Sequence, residues 1–144
     1  MIKVICVGKV KEKYLRDGID DYVKRIGKYH KISIMEVLDS NINEERDRIL
    51  RYIGDRDYVI TLEIDGKEMS SLDFADKVDK TFITNGNITF VIGGSDGLHN
   101  DIKDRSDFAL SFSRFTFPHQ LFRIILLEQI YRCFKILNNE TYHK

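Results

Sequence analysis

Short apolar runs of the strand type alternate five times with helix-type patterns, and this alternation restricts the fold more than any other feature. The runs are rich in β-branched residues, whereas the segments between them repeat apolar residues every three or four positions. Such alternation predicts an α/β fold with a mostly parallel sheet and helices on both faces. We predict strands at residues 2–7, 31–39, 57–64, 87–92 and 108–113, and helices at about 12–27, 43–53, 70–82, 99–107 and 118–137.

Length and composition suit one globular domain over residues 1–144. Hydrophobic residues make up 42% of the chain and charged residues 32%, which is ordinary for a soluble protein. No apolar run is long enough to span a membrane, and "MIKVICVGKV" is a poor signal peptide, so we expect a cytoplasmic protein. Cys6 and Cys133 lie in apolar surroundings and are expected to be reduced core residues. The spacing of cysteines and histidines predicts no metal site.

The formal net charge is zero, but the charge is unevenly distributed. It is +5 over residues 1–31, −8 over residues 32–113 and +3 over residues 114–144. If the two ends meet in space, they form a basic surface that suits an anionic partner such as RNA. Solvated helix faces that differ in sign by chance would give the same pattern, so charge alone leaves both interpretations open.

Three predicted strand ends could contribute to a ligand site, since ligands of parallel sheets bind beyond the carboxyl ends of the strands. They are "TLEIDG", "VIGGSDG" and "SFSRFTF". Gly93, Gly94 and Gly97 have the spacing G-G-x-x-G, which is neither the dinucleotide fingerprint nor a phosphate loop. These glycines indicate either a tight turn or a close approach of the backbone to a ligand.

The stretch "SFSRFTF" changes its alternation phase at Ser113-Arg114. Phe112 shares the phase of the preceding strand, whereas Phe115 and Phe117 have the opposite one. A continuous strand would turn its core face outward at this point, so the change predicts a loop. Because so apolar a loop avoids water, it is either packed under other parts of the chain or wrapped around a ligand.

Pro118 is predicted near the first position of the final helix, where its missing N–H costs nothing, with Thr116 as the cap. Apolar residues cover most of the circumference of this helix. We therefore expect it to be buried on more than one face, with a second subunit as part of its cover. Arg123 is a polar exception on the helix, and an ion pair or a solvated strip would account for it.

Two long motifs, "TFVIGGSDGL" and "LSFSRFTFPHQLFRIILLEQIYR", and the terminal "YHK" resemble the RlmH family. The segments "VGKVKEKYLRDGIDDYVKRI" and "ITLEIDGKEMSS" are similar to that family as well, so the resemblance covers nearly the whole chain. Members are SPOUT-class methyltransferases that modify N3 of a pseudouridine in bacterial large-subunit (23S) ribosomal RNA. The resemblance implies a SPOUT fold with a C-terminal trefoil knot, although true knots are exceptions among folds.

The resemblance further implies a homodimer that uses S-adenosyl-L-methionine and acts on ribosomal RNA, in the assembled ribosome or the large subunit. Matching the motifs residue by residue assigns the cofactor site to Leu62, Gly93, Phe112, Ser113, Arg114, Phe115, Thr116 and Phe117. The segment "LDSNINEERDRIL" is shorter than its counterpart in the family, which affects details of RNA contact. A ribosome- or RNA-binding module without catalysis, and a SPOUT methyltransferase for another RNA position, are the alternatives.

Methylation at N3 requires the imide proton to leave, so a base or an anion-stabilising group is expected near that nitrogen. His143 in the terminal "YHK" is the first candidate for the base, with Tyr142 and Lys144 beside it. We expect the tail to close over the cofactor of the partner subunit. Arg123 and His119 are candidates for contact with the substrate or a phosphate.

Overall fold

Ten elements follow one another in the computed structural model, which describes residues 1–144, and every strand lies parallel to its neighbours in one sheet. The order of strands in the sheet is β2-β1-β4-β3-β5. The predicted α/β fold with a parallel sheet is therefore confirmed. The elements are β1 (Ile2–Val7), α1 (Lys13–Gly27), β2 (Ile32–Val37), α2 (Ile42–Arg51), β3 (Tyr58–Glu68), α3 (Ser71–Thr84), β4 (Ile88–Ile92), α4 (Asn100–Arg105), β5 (Phe108–Ser111) and α5 (His119–Leu137).

Helices cover both faces of the sheet, as the alternation predicts. Successive side chains of a strand point to opposite faces, and in β1 Val4 and Cys6 belong to one buried cluster while Ile5 and Val7 belong to the other. The larger cluster joins the sheet to α1, α3 and α5. The smaller one joins it to α2 and α4.

Strand β3 continues to Glu68, so its predicted end at residue 64, before the turn-like sequence "DGKE", is wrong. Its pairing with β5 shifts register between Leu62 and Lys67, and the residues between them bulge from the ladder. Gly66 allows the strand to continue, because a Cβ there would lie 2.8 Å from the carbonyl of Ala109. Residues 62–65, at the start of this bulge, line a cavity together with residues that follow β4 and β5.

Helix α5 lies between α1 and α3 on the larger cluster, so its own chain covers most of its apolar surface. Leu121 near its first turn is an exception, since 41% of this residue is exposed. Pro118 is the N-terminal cap residue and makes no side-chain capping bond, so the predicted cap at Thr116 is wrong. None of the helices has the length and apolar character needed to cross a membrane.

Asp57 holds together the amino ends of the central strands. Its carboxylate pairs with Lys3 and accepts hydrogen bonds from the Gly54 amide at 2.8 Å, the Thr89 hydroxyl at 3.0 Å and the Asn87 amide at 3.1 Å. Burial alone would raise the pKa of Asp57, but these bonds favour the ionised form more strongly, and the pKa is lowered. The ionised carboxylate therefore stabilises the folded state.

Candidate functional site

The carboxyl ends of β3, β4 and β5 enclose a cavity of about 310 Å³. Apolar residues form half of its lining, and the other half consists of three glycines and six polar residues. Two rings pack against Phe122 and form an aromatic wall: Phe112 at 5.2 Å between centroids and Phe117 at 5.7 Å. An apolar cavity at this edge of a parallel sheet is where such folds bind ligands.

Seven of the eight residues assigned to the cofactor site by the resemblance line this cavity, and Arg114 does not. The seven come from three separate segments of the chain, which the fold brings together. Arg114 lies in the same loop, exposed to solvent. The seven that line the cavity are Leu62, Gly93, Phe112, Ser113, Phe115, Thr116 and Phe117.

The loop between β5 and α5 is held by Ser113, the residue at which the alternation changes phase. The Ser113 hydroxyl accepts a hydrogen bond from the Phe115 amide at 3.0 Å, and the Ser111 hydroxyl donates to the Ser113 carbonyl at 3.2 Å. These local bonds form a serine turn, which replaces the strand ladder. The predicted loop is confirmed, and it leaves 78% of Phe115 exposed at the mouth of the cavity.

The glycines after β4 make a tight turn that forms one side of the cavity. A Cβ on Gly93 would lie 2.8 Å from the Gly97 carbonyl oxygen, and one on Gly94 would lie 2.9 Å from Val7. Gly97 has a φ of +75°, which strains any other residue. The tight turn is confirmed, and its backbone borders the cavity.

Two carboxylates, Glu63 and Asp65, line the cavity and were missed by sequence reasoning. Glu63 accepts a hydrogen bond from the Thr61 hydroxyl at 2.6 Å and lies 3.9 Å from the Lys103 ammonium. Carboxylates at an apolar cavity fit a ligand that offers hydroxyl groups or a positive charge. The acidic residues of "TLEID" are the sequence signal that could have identified them as site residues. Only the bulge in β3 shows which way their side chains face.

Arg123 is buried away from this cavity, in contrast to its predicted contact with substrate. Its guanidinium donates to Glu36 at 2.7 Å and to the carbonyls of Val7 and Gly8 at 2.8 Å each. Its Nε is the one buried side-chain nitrogen or oxygen atom without a hydrogen-bond partner. The side chain thus ties α5 to the ends of β1 and β2, and the ion pair with Glu36 is one of the two arrangements that the sequence allowed.

The terminal residues Tyr142, His143 and Lys144 do not line the cavity of their own chain. The Tyr142 hydroxyl donates to Glu128 at 3.2 Å, and burial, together with the Glu128 charge, raises the pKa of this phenol. Glu128 lies nine positions after His119 in α5, which is about 14 Å along a helix. Within one chain, the predicted catalytic tail and the cavity are therefore separate.

Neither cysteine is suited to nucleophilic chemistry. Cys6 and Cys133 are both buried and free, as predicted. Burial raises the pKa of each thiol to about 12, which keeps it protonated at neutral pH. The structure contains no group of three or more His, Cys, Asp or Glu side chains that could hold a metal ion.

A broad groove of about 930 Å³ adjoins the cavity and shares Gly94 and His119 with it. Three exposed apolar side chains line this groove: Tyr14 (71% exposed), Leu38 (69%) and Leu121 (41%). Their proximity gives the molecule a partly apolar face beside its candidate site.

Sequence comparison links the chain to one family over its whole length. The sequence model described as "Predicted SPOUT methyltransferase" matches residues 1–143. The protein named "Ribosomal RNA large subunit methyltransferase H" is 50% identical in Finegoldia magna and 46% identical in Clostridium botulinum, and each alignment covers 99% of both chains. The alignments span 157 positions, against 144 residues here, so these relatives contain residues that this chain lacks.

Solved structures of methyltransferases share the fold. A probable methylase family protein from Haemophilus influenzae has a TM-score of 0.60 at 13% identity, over 99% of this chain and 70% of its own. The tRNA (m1G37) methyltransferase from Aquifex aeolicus has a TM-score of 0.55 at 13% identity, over 91% and 69%. The SpoU methyltransferase AviRb from Streptomyces viridochromogenes, in complex with AdoMet, has a TM-score of 0.50 at 14% identity, over 90% and 56%.

Proposed function

Because this chain belongs to the SPOUT methyltransferase family, we propose that it is an S-adenosyl-L-methionine-dependent methyltransferase of large-subunit ribosomal RNA. The observation that carries this proposal is the full-length identity of 46–50% to proteins with that name. The cavity at the strand ends supports it, since it lies where the sequence motifs converge. The predicted trefoil knot stays an expectation from the family.

The cavity residues fit an adenosine. The aromatic wall of Phe112 and Phe117 suits a flat purine ring, and the Glu63 and Asp65 carboxylates can accept hydrogen bonds from ribose hydroxyls. A volume of about 310 Å³ is at the lower end for ligand pockets, which favours a compactly folded cofactor. When bound, S-adenosyl-L-methionine supplies a methyl group on a positively charged sulfur, and nearby carboxylates favour that charge.

We further propose N3 of a pseudouridine as the methyl acceptor. The imide proton leaves to solvent, and the electron pair on N3 forms the new N–C bond to the methyl carbon. The electron pair of the broken C–S bond stays on the sulfur. The chain must place N3 in line with the methyl group and stabilise the imide anion. The terminal Tyr142, His143 and Lys144 are the groups that we assign to this task.

A homodimer would bring the terminal residues of one subunit to the cavity of the other. The partly apolar groove that borders the cavity, lined by Tyr14, Leu38 and Leu121, supports this arrangement. Analytical ultracentrifugation should detect a dimer, and Leu121→Glu should dissociate it, whereas Ile83→Glu on the exposed face of α3 should not. Methylation that persists in a Leu121→Glu monomer would contradict a site shared between subunits.

The two basic ends of the sequence meet, because α1 packs against α5. Much of their charge is neutralised locally, for example by the pairs Arg25–Asp21 and Arg132–Glu128. Weak affinity for free RNA follows from this balance and from a net charge of zero. We therefore propose that the substrate is an assembled ribosome or large subunit in the cytoplasm.

Calorimetry with S-adenosyl-L-methionine separates the enzyme from a module that binds ribosomes without catalysis. The enzyme is supported if the wild-type protein binds the cofactor and if replacing the cavity residue Phe112 or Phe117 by alanine weakens this binding. Absence of binding favours the module. A methyltransferase for another RNA position would bind the cofactor equally, so the methylated nucleoside must be identified by mass spectrometry.

A further inference from the structure

The last seven residues, 138–144, form a hook that folds back along α5. Asn139 has a left-handed φ of 54°. The Asn139 amide donates to the Ile136 carbonyl at 3.1 Å, and the Glu140 amide donates to the Lys135 carbonyl at 3.0 Å. These two bonds are the pattern of a Schellman motif, which ends a helix and reverses the chain. The structure at the end of α5 therefore sets the direction in which the C-terminal residues run.

Three contacts then hold the hook against α5 and against the turn that follows α1. The Glu140 carboxylate accepts a hydrogen bond from the Tyr29 hydroxyl at 2.8 Å and pairs with the Lys135 ammonium at 2.8 Å. The Tyr142 ring packs edge-on against Tyr131, with 5.1 Å between centroids. A terminus with an ion pair and a packed aromatic ring is anchored, unlike most chain ends.

Arg132 connects this anchor to His143. Its Nε and Nη2 donate to Glu128 at 3.0 and 2.6 Å, and Glu128 also accepts from the Tyr142 hydroxyl. The remaining Nη1 lies 3.1 Å from Nδ1 of His143. A guanidinium has donors only, so Nδ1 must offer its lone pair, and the single proton of the neutral ring then lies on Nε2.

We propose that Arg132 is a positioning residue that fixes His143 as an Nε2–H hydrogen-bond donor for the nucleobase. The hook then delivers a donor to the reaction, and His143 is not the general base that its residue type suggests. A base would need its lone pair on Nε2, which would place the Nδ1 proton against the guanidinium. This proposal rests on the proposed function.

The donor has a clear use in methylation at N3. When the imide proton has left to solvent, the negative charge is shared between N3 and the two flanking carbonyl oxygens. An Nε2–H aimed at one of these oxygens stabilises the anion while N3 keeps its electron pair for the methyl carbon. Arg132 meets the imidazole at Nδ1, on the side away from Nε2, and its guanidinium also lies 4.8 Å from the centroid of the Tyr142 ring. Its effect on the rate therefore passes through the residues of the hook, and the NMR signal of Nδ1 isolates the part that passes through His143.

The tautomer can be measured without turnover, by ¹⁵N NMR of the histidine ring in the full-length protein at neutral pH. The signals of His143 are assigned by their loss in His143→Gln. We expect a protonated Nε2 and an unprotonated Nδ1, and we expect the Nδ1 signal to move in a folded Arg132→Met variant, where its donor is missing. A proton on Nδ1 in the wild type would overturn the proposal.

Methylation of large subunits by three variants separates the donor from the base. His143→Ala should lower kcat by about 10²–10³-fold, as for loss of an oxyanion donor. The Gln amide N–H can replace Nε2–H, so His143→Gln should stay within about tenfold of wild type, whereas the shorter His143→Asn should resemble alanine. A Gln variant as inactive as the Ala variant would overturn the donor role. If the wild type itself methylates no ribosomal RNA, the proposed function fails. The NMR result then decides separately whether Arg132 fixes the tautomer of the His143 ring.

Discussion

Replacing Arg123 by methionine tests whether this buried arginine holds the fold together or serves the reaction. The substitution keeps an unbranched apolar stem but removes the guanidinium that binds Val7, Gly8 and Glu36. We expect a less stable protein with an unchanged cofactor cavity, because Arg123 does not line that cavity. This outcome would distinguish a structural role from contact with substrate.

The expected loss can be estimated from the three partners. Two carbonyls lose a charged donor, and such bonds contribute about 1.5–3 kcal/mol each. Glu36 is 37% exposed, so water can replace its ion pair and little is lost there. Burial of the methionine offsets part of the cost. The free energy of unfolding should therefore fall by about 2–4 kcal/mol, and Tm should fall by roughly 10 °C.

Urea unfolding and calorimetry with S-adenosyl-L-methionine provide the assay. Arg56→Met, at an exposed arginine in the loop before β3, is the control and should change stability by less than about 0.5 kcal/mol. The Kd for the cofactor should equal that of wild type at a temperature where the Arg123→Met protein is folded. A variant of normal stability that no longer methylates would refute the structural assignment.

Three other substitutions or treatments test separate parts of the structure. Gly93→Ala should weaken cofactor binding at least tenfold by calorimetry, because the added Cβ meets the Gly97 carbonyl. Gly86→Ala, whose Cβ meets no atom, is the control and should bind the cofactor normally. Equal cofactor affinity of the two variants would contradict the tight packing at Gly93. The pKa of Asp57 is lowered in the folded protein. Its stabilisation is therefore present above the unfolded pKa of about 4 and is lost as pH falls through the folded pKa. Chemical denaturation should show a steeper loss of stability below pH about 4 in the wild type than in Asp57→Asn. Iodoacetamide at neutral pH should leave Cys6 and Cys133 unmodified until the protein unfolds, and rapid alkylation in mass spectra of the native protein would contradict their burial.

Most of the fold could be predicted from the sequence, because local patterns determine its elements. The ten predicted elements exist in the predicted order, and the apolar loop at Ser113 follows from a change in alternation. The end of β3 was mispredicted, since "DGKE" is typical of a turn. Only the approach of Ala109 to Gly66 shows why the strand continues there.

The site was less predictable, because it depends on how distant segments face one another. Glu63 gives no sign in the sequence that a bulge directs it into a cavity. Arg123 resembled a substrate-binding residue until its backbone partners were known. The ordered terminus follows from a left-handed Asn139 and from the hydrogen bond of Glu140 to Tyr29, in the turn after α1. Such a long-range contact is not encoded by local spacing.

The central claim is tested most directly by incubating the purified protein with S-adenosyl-L-methionine and large subunits from a strain that lacks this gene. Nucleoside mass spectrometry of the recovered ribosomal RNA then identifies any methylated product. The account predicts one new N3-methylpseudouridine per subunit, with much less on naked ribosomal RNA. Unmodified RNA, despite measured cofactor binding and intact subunits, would contradict it.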